Sequence, residues 1–325
     1  VSVTLVEASE GGNSSSITVN FVDDNSETSG VTYVLKYKHS QEANYTTVSG
    51  LSASDFPYTI GNVVSGTSYT IAVASVCSDG VQTNFAQTNV IVPCSVNSLP
   101  WTENFDFNPF GDVSCWERKS GLLPSEGIVQ SSSLTDGSRF DYNADDQNIV
   151  ANIYSTSFHH WLISPSFDFG DGSTTYALSF SAMVQGYNGG NAQAASDDKF
   201  AVLISTDGGL SWDLANALIY ADADTDTEHN YSDLFDQWTT QIVQLVDNQG
   251  NPLSGIVKFA FYGESSEDNA DNNLFIDNVA ISVWNDCLQP DNVAVSNVST
   301  TSADVTFTTL GENTSWEYVL VEGDH

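Results

Sequence analysis

The segments YALSFSAMV (176–184), KFAVLIS (199–205) and VKFAFYG (257–263) decide the fold class of this chain. Each is rich in Val, Ile, Leu, Phe and Tyr, and each is followed by Gly, Asp, Asn or Ser, which is typical of β-strands separated by turns. The same pattern recurs in ITVNF (17–21) and SYTIAVASV (68–76). Because no stretch carries a sustained 3.6-residue apolar stripe, the sequence predicts an all-β protein.

The net charge of this protein excludes some classes of binding partner. Among 325 residues, 42 are Asp or Glu and 7 are Lys or Arg, so the formal net charge is -35. Nucleic acids and anionic membranes both attract basic side chains, so the sequence argues against both as partners. No run of eighteen apolar residues occurs, so we also expect no direct membrane insertion. Since 40% of the residues are apolar, the acidity coats folded domains and does not indicate disorder.

Residues 1–93 resemble a fibronectin type III domain. The resemblance is carried by three runs that match strands of that family, namely ITVNF (17–21), TYVLKYKHS (32–40) and VSGTSYTIAVASV (64–76). Tyr69 stands where the fold places a corner tyrosine, whose hydroxyl bonds back to upstream backbone. Phe21 occupies a position where the family usually has Trp.

Residues 287–325 repeat the opening of the chain. The run ADVTFTTLGENTSWEYVLVE (303–322) aligns with SITVNFVDDNSETSGVTYVLKY (16–37). We therefore expect the N-terminal part of a second fibronectin type III-like domain, within which the sequence ends. Such a half-sandwich lacks its closing strands, so we expect it to be poorly ordered or to be completed by further sequence.

The central residues 94–286 resemble the MAM-like jelly-roll domains of cleaved-adhesin modules, which occur in secreted surface proteases and large cell-surface proteins of Bacteroidetes. The landmarks follow in the expected order: LPWTENFDF (99–107), Cys115-Trp116, WLISPSFDF (161–169), YALSFSAMVQG (176–186), DDKFAVLISTDGGLSW (197–212), DQWTTQIVQL (236–245), VKFAFYGES (257–265) and FIDNVAIS (275–282). The expected architecture is thus a fibronectin type III sandwich, a jelly-roll β-sandwich and a truncated second fibronectin type III domain.

The four cysteines fit this layout. The MAM-type resemblance implies a disulfide between Cys94 and Cys115, which would close a loop of about 20 residues and contribute about 3 kcal/mol. Through the repeat, we expect Cys77 and Cys287 to bond to cysteines beyond the two ends of this sequence. Disulfides, few lysines and abundant Asn, Thr and Ser predict an extracellular, secreted or cell-surface protein.

The sequence offers no recognisable catalytic machinery. It contains no G-x-S-x-G elbow, no H-E-x-x-H and no Gly-rich phosphate loop, and its five histidines are not at ligand spacings. Acidic pairs abound, as a glycosidase needs, but in so acidic a chain they carry little information. We therefore expect a protein that is not an enzyme.

STDGGLSW (205–212) fits the Asp-box pattern of sialidases. A sialidase would also need several such boxes and an arginine cluster, and the chain has only two arginines. We therefore interpret the run as a structural hairpin, in which Asp207 bonds turn amides, Gly208 and Gly209 adopt positive φ, and Trp212 packs underneath.

Metal binding is a more specific hypothesis than catalysis for this chain. Three carboxylates share a strand side with apolar neighbours: Glu103 with Phe105 and Phe107, Asp198 with Phe200, Val202 and Ile204, and Asp277 with Phe275, Val279 and Ile281. A buried carboxylate needs a counter-charge or several donors, and this chain has few cations, so calcium is the expected cofactor. The resemblance adds that calcium ties the first strand of such jelly rolls to the last, which suits Glu103 and Asp277. Alternatively, these residues cap strand ends and face water.

Weaker metal candidates are Asp106, close to Glu103, and the acidic run DADTDTEHNYSD (222–233). There Asp222, Asp224 and Asp226 fall at positions 1, 3 and 5 of a calcium-loop spacing. The run lacks the glycine of such loops and their closing glutamate, and no helices flank it. A solvated acidic loop is therefore the competing interpretation.

The functional prediction is a non-catalytic, calcium-stabilised adhesion segment of a large bacterial surface protein, inferred by analogy of fold. Its partner would be a surface glycan, a protein ligand or neighbouring copies of itself. Two alternatives stay open. One is a carbohydrate-binding accessory module of a secreted hydrolase or protease, to which YNGGN (187–191), Trp238 and Tyr262 could contribute, although the sequence does not distinguish exposed aromatic residues from core ones. The other is a structural stalk or filament subunit.

Overall fold

The computed structural model describes residues 2–9, 15–23, 29–111, 114–191, 198–222, 237–247, 249–266, 271–284, 291–308 and 316. Its regular structure consists of β-strands and three single 3-10 turns, which confirms the all-β class. None of the helices in these ranges has the length and apolar character needed to cross a membrane. The chain divides into two compact units, Val1–Ser282 and Val283–His325.

The first unit begins with a seven-stranded sandwich. Its strands are β1 (Ser2–Ser9), β2 (Ser15–Val22), β3 (Thr32–His39), β4 (Thr46–Leu51), β5 (Tyr58–Val63), β6 (Ser68–Val76) and β7 (Ala86–Ile91). They form two antiparallel sheets, ordered β1-β2-β5 and β4-β3-β6-β7. The alternating apolar residues of β2, β3 and β6 fill the space between the sheets, where Ile17, Val19, Leu35, Ile71 and Val73 are fully buried.

Tyr69 closes the corner of this sandwich. The backbone N–H of Val64 donates to its hydroxyl oxygen at 3.1 Å, and the Thr67 hydroxyl donates to the Val64 carbonyl at 2.6 Å. Burial raises the pKa of Tyr69 above its usual value. Phe21 lies between two other rings, with its centroid 4.4 Å from that of Phe56 and 4.7 Å from that of Tyr33. The aromatic position in β2 is therefore filled without a Trp.

A second, larger sandwich follows in the same unit. Its strands are β8 (Asn97–Ser98), β9 (Trp101–Glu103), β10 (Glu117–Ser120), β11 (Ile128–Gln130), β12 (Thr135–Asp136), β13 (Phe140–Asn143), β14 (Asn148–Ile153), β15 (Phe158–Ile163), β16 (Phe167–Asp168), β17 (Tyr176–Gly186), β18 (Lys199–Ser205), β19 (Ser211–Asp213), β20 (Ala217–Asp222), β21 (Thr239–Leu245), β22 (Ile256–Ser265) and β23 (Asn272–Val283).

Two large sheets make up this second sandwich. One has the order β12-β10-β15-β22-β16-β8, with β18 also paired to β22 and β20 to β18. The other has the order β13-β14-β23-β17-β21, with β9 also paired to β23. Aromatic side chains dominate the core between them, including Phe105, Phe140, Phe180, Phe200 and Phe261. The first strand pairs with the last on this second sheet, which determines where the carboxylates of β9 and β23 meet.

The cysteines of the first unit are placed as follows. A disulfide joins Cys94 to Cys115, the pairing that the family resemblance implied. Cys77 is half-buried and carries a free thiol, whereas Cys287 lies outside the described residues.

The second unit contains one antiparallel hairpin, β24 (Asp291–Ser296) with β25 (Asp304–Thr308), in which Val295 faces Val305. The apolar residues Val293, Val295 and Val305 are more than half exposed. Of the predicted repeat of the chain opening, this hairpin and Trp316 are the part that the structure describes.

The Asp-box run forms a tight turn between β18 and β19. Both oxygens of Asp207 are used: Oδ1 accepts from the Ser205 hydroxyl and from the N–H groups of Leu210 and Ser211, and Oδ2 accepts from the Ser211 hydroxyl. Gly208 and Gly209 have φ of +76° and +88°. Trp212 is buried and its indole N–H donates to the Ser131 hydroxyl at 2.8 Å. The polar groups of Asp207 therefore serve the turn itself.

We expect Asp207→Ala to lower the free energy of unfolding by roughly 2 kcal/mol, because four hydrogen bonds to one carboxylate are lost together. Burial opposes ionisation of Asp207, but the donors from Ser205 and Ser211 outweigh it and lower its pKa to about 2. Urea unfolding at pH 7 measures the effect. Asp213→Ala, which removes a hydrogen bond from the Ala215 N–H, is the graded control and should cost less. Equal stability of Asp207→Ala and the parent would contradict a structural role.

Candidate metal centre

The pairing of β9 with β23 brings Glu103 and Asp277 to one place. Glu103 faces Val279 in the register of the two strands, and Asp277 lies two residues before Val279. Asp106, just beyond β9, lines the same cleft as Glu103, and its negative charge raises the pKa of both Glu103 and Asp277. Two of the three principal sequence-predicted ligands and one weaker candidate thus lie together where the first and last strands of the second sandwich meet.

A left-handed turn after β9 produces this arrangement. Phe105 has a φ of +51°, and its N–H donates to Oε1 of Glu103 at 2.9 Å. Its ring is fully buried and packs against Trp116, with centroids 5.6 Å apart. The side-chain amide of Gln147 donates to the backbone carbonyl of Asp106 at 3.0 Å. Core packing therefore holds a residue with unfavourable φ, and the turn leaves Asp106 close to Glu103.

The prediction of which face of β23 carries Asp277 is wrong in part. Strict alternation along the strand would put Asp277 on the same face of β23 as Phe275, Val279 and Ile281. In the structure Asp277 shares a face with Phe275, whereas Val279 and Ile281 lie on the opposite, buried face. Asn278 has a φ of +50°, which interrupts the alternation: Leu274 and Ile276 are buried before it, and Val279 and Ile281 after it. An irregularity of this kind re-aims side chains within a strand.

The carboxylates form an electrostatically unfavourable group. Burial raises the pKa of Glu103 to about 7, and the charges of Asp106 and Asp277 add to this effect. Burial also raises the pKa of Asp277, although the Asn278 N–H donates to it at 2.7 Å. Burial and the negative charges of Asp106 and Glu103 raise the pKa of nearby Tyr142. No ion pair within the described ranges involves Glu103, Asp106 or Asp277.

Asn148 is a site residue that the sequence analysis missed. It is only 3% exposed, and its side-chain oxygen Oδ1 is buried without a hydrogen-bond donor among the described residues. Ile149 pairs with Ile276, so the next position along these antiparallel strands places Asn148 beside Asp277. An amide oxygen is a ligand that calcium accepts. The available signal was an Asn at a strand position flanked by apolar residues, in NIVANI (148–153).

Asp198 lies elsewhere. It is fully buried, as its alternation with Phe200 and Val202 predicted, and the side-chain amide of Asn272 donates to its Oδ2 at 3.4 Å. Asn272 precedes Asp277 by five residues of β23, a distance of about 17 Å along a strand. The structure therefore does not bring Asp198 to Glu103 and Asp277.

The remaining metal candidates are not assembled with this group. Asp222 is the last residue of β20, where its backbone pairs with Lys199. Asp224 and Asp226 lie outside the described residues. Within the described ranges, no three His, Cys, Asp or Glu side chains are spaced to hold a metal ion, and this includes Glu103, Asp106 and Asp277.

The two aromatic candidates for ligand contact differ in burial. Tyr262 is buried, and its hydroxyl donates to Glu264, so Tyr262 does not contribute aromatic surface. Its neighbours Trp161 and Ala260 belong to an apolar cluster that covers it. Trp238 is 40% exposed and lies edge-on to Phe275, with ring centroids 6.2 Å apart.

Several solved structures match this chain at low sequence identity and low TM-score. The K1 cleaved adhesin domain of Lys-gingipain from Porphyromonas gingivalis W83 is 14% identical, with a TM-score of 0.33, over 57% of this chain and 99% of that domain. The K3 domain of the same protein is 15% identical, with a TM-score of 0.32, over 56% and 98%. A carbohydrate-binding module of the β-sandwich superfamily is 11% identical, with a TM-score of 0.29, over 87% and 98%.

No family model and no curated protein sequence matches this chain. The TM-scores of these solved structures are 0.29 to 0.33, so neither a fold assignment nor a residue role is taken from them.

In a chelating buffer, we expect stability to fall as the pH rises from about 4.5 to about 7. Glu103 has a higher pKa in the folded chain than in the unfolded chain, so the folded state binds more protons in this window and loses stability as they leave. Over this pH range the free energy of unfolding falls by at most about 3 kcal/mol. Glu103→Gln should flatten this slope in urea unfolding, whereas Glu126→Gln, at an exposed position, should keep it. An unchanged slope in Glu103→Gln would show that Glu103 is not enclosed.

Proposed function

We propose that this chain is a non-catalytic, calcium-stabilised adhesion segment of a large secreted or cell-surface bacterial protein. In this proposal residues 1–93 are a fibronectin type III-like module, residues 94–286 a MAM-like jelly roll, and residues 287–325 the beginning of a second fibronectin type III-like module. The observation that carries it is the group of Glu103, Asp106 and Asp277 with the buried oxygen of Asn148 at the β9–β23 junction.

Calcium suits this group better than other metals. All four side chains of this group offer oxygen, whereas zinc prefers nitrogen and sulfur ligands. Calcium accepts six to eight oxygens in flexible geometry, so backbone carbonyls and water can complete its shell. Carboxylates that repel one another stay apart, and a divalent cation between them would draw them together. The ion would then join the first strand of the second sandwich to the last.

The adhesive role rests on the sequence motifs and on the character of the molecule. The Cys94–Cys115 disulfide is typical of proteins that fold in oxidising compartments. A net charge of -35 supports solubility and a partner other than a nucleic acid. A sandwich fold alone does not define a ligand, so the proposed partner is a surface glycan or protein, or a neighbouring copy of the chain.

We expect the melting temperature to rise by about 5–10 °C when calcium replaces chelator at pH 7.5. Calcium at a hundred times its Kd adds about 2.7 kcal/mol to the free energy of unfolding. Differential scanning calorimetry measures the shift. Asp277→Asn should abolish most of it, and Glu126→Gln should leave it intact. A shift of less than one degree in the parent chain would remove calcium from the proposal.

Asn148→Ala should weaken calcium binding roughly tenfold, because a buried oxygen ligand is lost while the three carboxylates remain. Isothermal titration calorimetry with calcium chloride measures the affinity. Asn89→Ala, at an exposed position of β7 in the first sandwich, is the control and should bind calcium as the parent does. Equal affinity of Asn148→Ala and the parent would place the Asn148 oxygen outside the shell.

Glycan binding is the second candidate function, and the surroundings of Trp238 favour it. Trp238 and Phe275 form a partly exposed aromatic pair, and Asn273 lies on the same side of β23 as Phe275. Asn152, opposite Asn273, donates to the side chains of Asp271 and Asn273 at 2.6 and 3.1 Å. Aromatic surface beside amide and carboxylate groups is typical of sugar sites. A glycan array on which the parent binds and Trp238→Ala does not would support this function, and no binding by the parent would exclude it.

A further inference from the structure

The passage between the two sandwiches of the first unit is short and restrained. Val92 is buried in the core of the first sandwich, and Asn97 already belongs to the second, where its N–H donates to the Ser166 carbonyl at 2.8 Å. Between them, Cys94 is tied by its disulfide to Cys115. Few backbone torsions are therefore available to move one sandwich against the other.

A side chain of the first sandwich binds backbone of the second in both directions. The amide nitrogen of Gln41 donates to the Asn108 carbonyl at 3.0 Å, and the Asn108 N–H donates to the amide oxygen of Gln41 at 2.8 Å. The Asn108 side chain accepts from the Phe110 N–H at 2.9 Å, which holds the receiving segment in shape. A paired contact of this kind determines orientation as well as proximity.

An aromatic contact lies beside this pair. The ring of Phe107 packs on His39, with centroids 4.5 Å apart and planes inclined by 31°. His39 is 1% exposed and meets the ring of Tyr69 edge-on at 5.5 Å. Since Tyr69 is the residue that closes the corner of the first sandwich, Phe107 reaches a rigid part of that domain.

The segment that makes these contacts also carries the carboxylates. Residues 103–106 contain Glu103 and Asp106, and the next two residues are Phe107 and Asn108. A cleft of about 440 Å³ is lined by residues 62–67 of the first sandwich and by Glu103, Asp106 and Phe107 of the second. The proposed metal ligands Glu103 and Asp106 are therefore only a few residues away from the contacts between the sandwiches.

We propose that a calcium ion held by Glu103, Asp106, Asn148 and Asp277 also stiffens the joint between the two sandwiches. This inference rests on the proposed calcium site. With the ion bound, residues 103–108 are held at one end by the metal and β23, and at the other by Gln41 and His39. Without it, repulsion among the carboxylates loosens the segment, and the joint becomes a hinge. Calcium then sets the reach and rigidity of the segment as well as its stability.

Hydrogen exchange of the full chain, followed by mass spectrometry with calcium or with chelator, tests this. In the parent, calcium should slow exchange about fivefold or more in β23 and also in Thr32–His39 of the first sandwich, which has no ligand of its own. Gln41→Ala removes the joint contact at an exposed position and leaves the carboxylates untouched. In that variant calcium should still protect β23 but no longer Thr32–His39. Gln87→Ala, at an exposed position of β7, is the matched control and should behave as the parent.

The outcomes separate this inference from the proposed function. Protection of β23 without any change in Thr32–His39 of the parent would overturn the coupling and leave the calcium site standing. Protection of neither segment would remove the calcium site, and the coupling with it. Protection of Thr32–His39 that survives in Gln41→Ala would show that the Gln41–Asn108 contact does not carry the coupling, and would overturn the proposed route between the sandwiches.

Discussion

The enclosure of Glu103 where the first strand of the second sandwich meets the last is the constraint on which the rest depends. A carboxyl group placed there must stay protonated, find donors or gain a cation. The Phe105 N–H donates to it, and its charged neighbours, Asp106 and Asp277, are also acids. A chain with 7 basic residues against 42 acidic ones has little chance of supplying the counter-charge itself.

Two left-handed residues shape the site. Phe105 turns the chain after β9, so that its ring enters the core while Asp106 stays near Glu103. Asn278 interrupts β23 next to Asp277, which lets the strand keep apolar residues inward on both sides of the irregularity. Such conformations are costly for residues other than glycine and persist where packing holds them. The turn at Phe105 also directs Phe107 and Asn108 towards the first sandwich, which links the chemistry of the site to the arrangement of the domains.

Local patterns predicted a good part of this structure. The strands of both sandwiches follow from alternation and turn residues, and the turn at Asp207 follows from the hydrogen-bonding habits of Asp, Gly and Ser. The position of Asp198 on the core side also followed from alternation. What the sequence did not predict also has a physical reason. The sequence does not show whether Tyr262 is exposed or buried until β22 is known to lie between β15 and β18. Asn148 is inconspicuous until its side-chain oxygen is seen to be buried without a donor among the described residues.

The sequence by itself determined that this protein is all-β and strongly acidic, with a hairpin at residues 205–212, because alternation, charge and turn chemistry are properties of neighbouring residues. Only the tertiary structure decided which acids meet. Glu103 and Asp277 come together because β9 and β23, which are distant in the chain, pair with each other. Asp198 instead lies beside Asn272, at the start of β23. That pairing, and the two left-handed residues beside it, are selected by core packing across the whole sandwich, which no local pattern records.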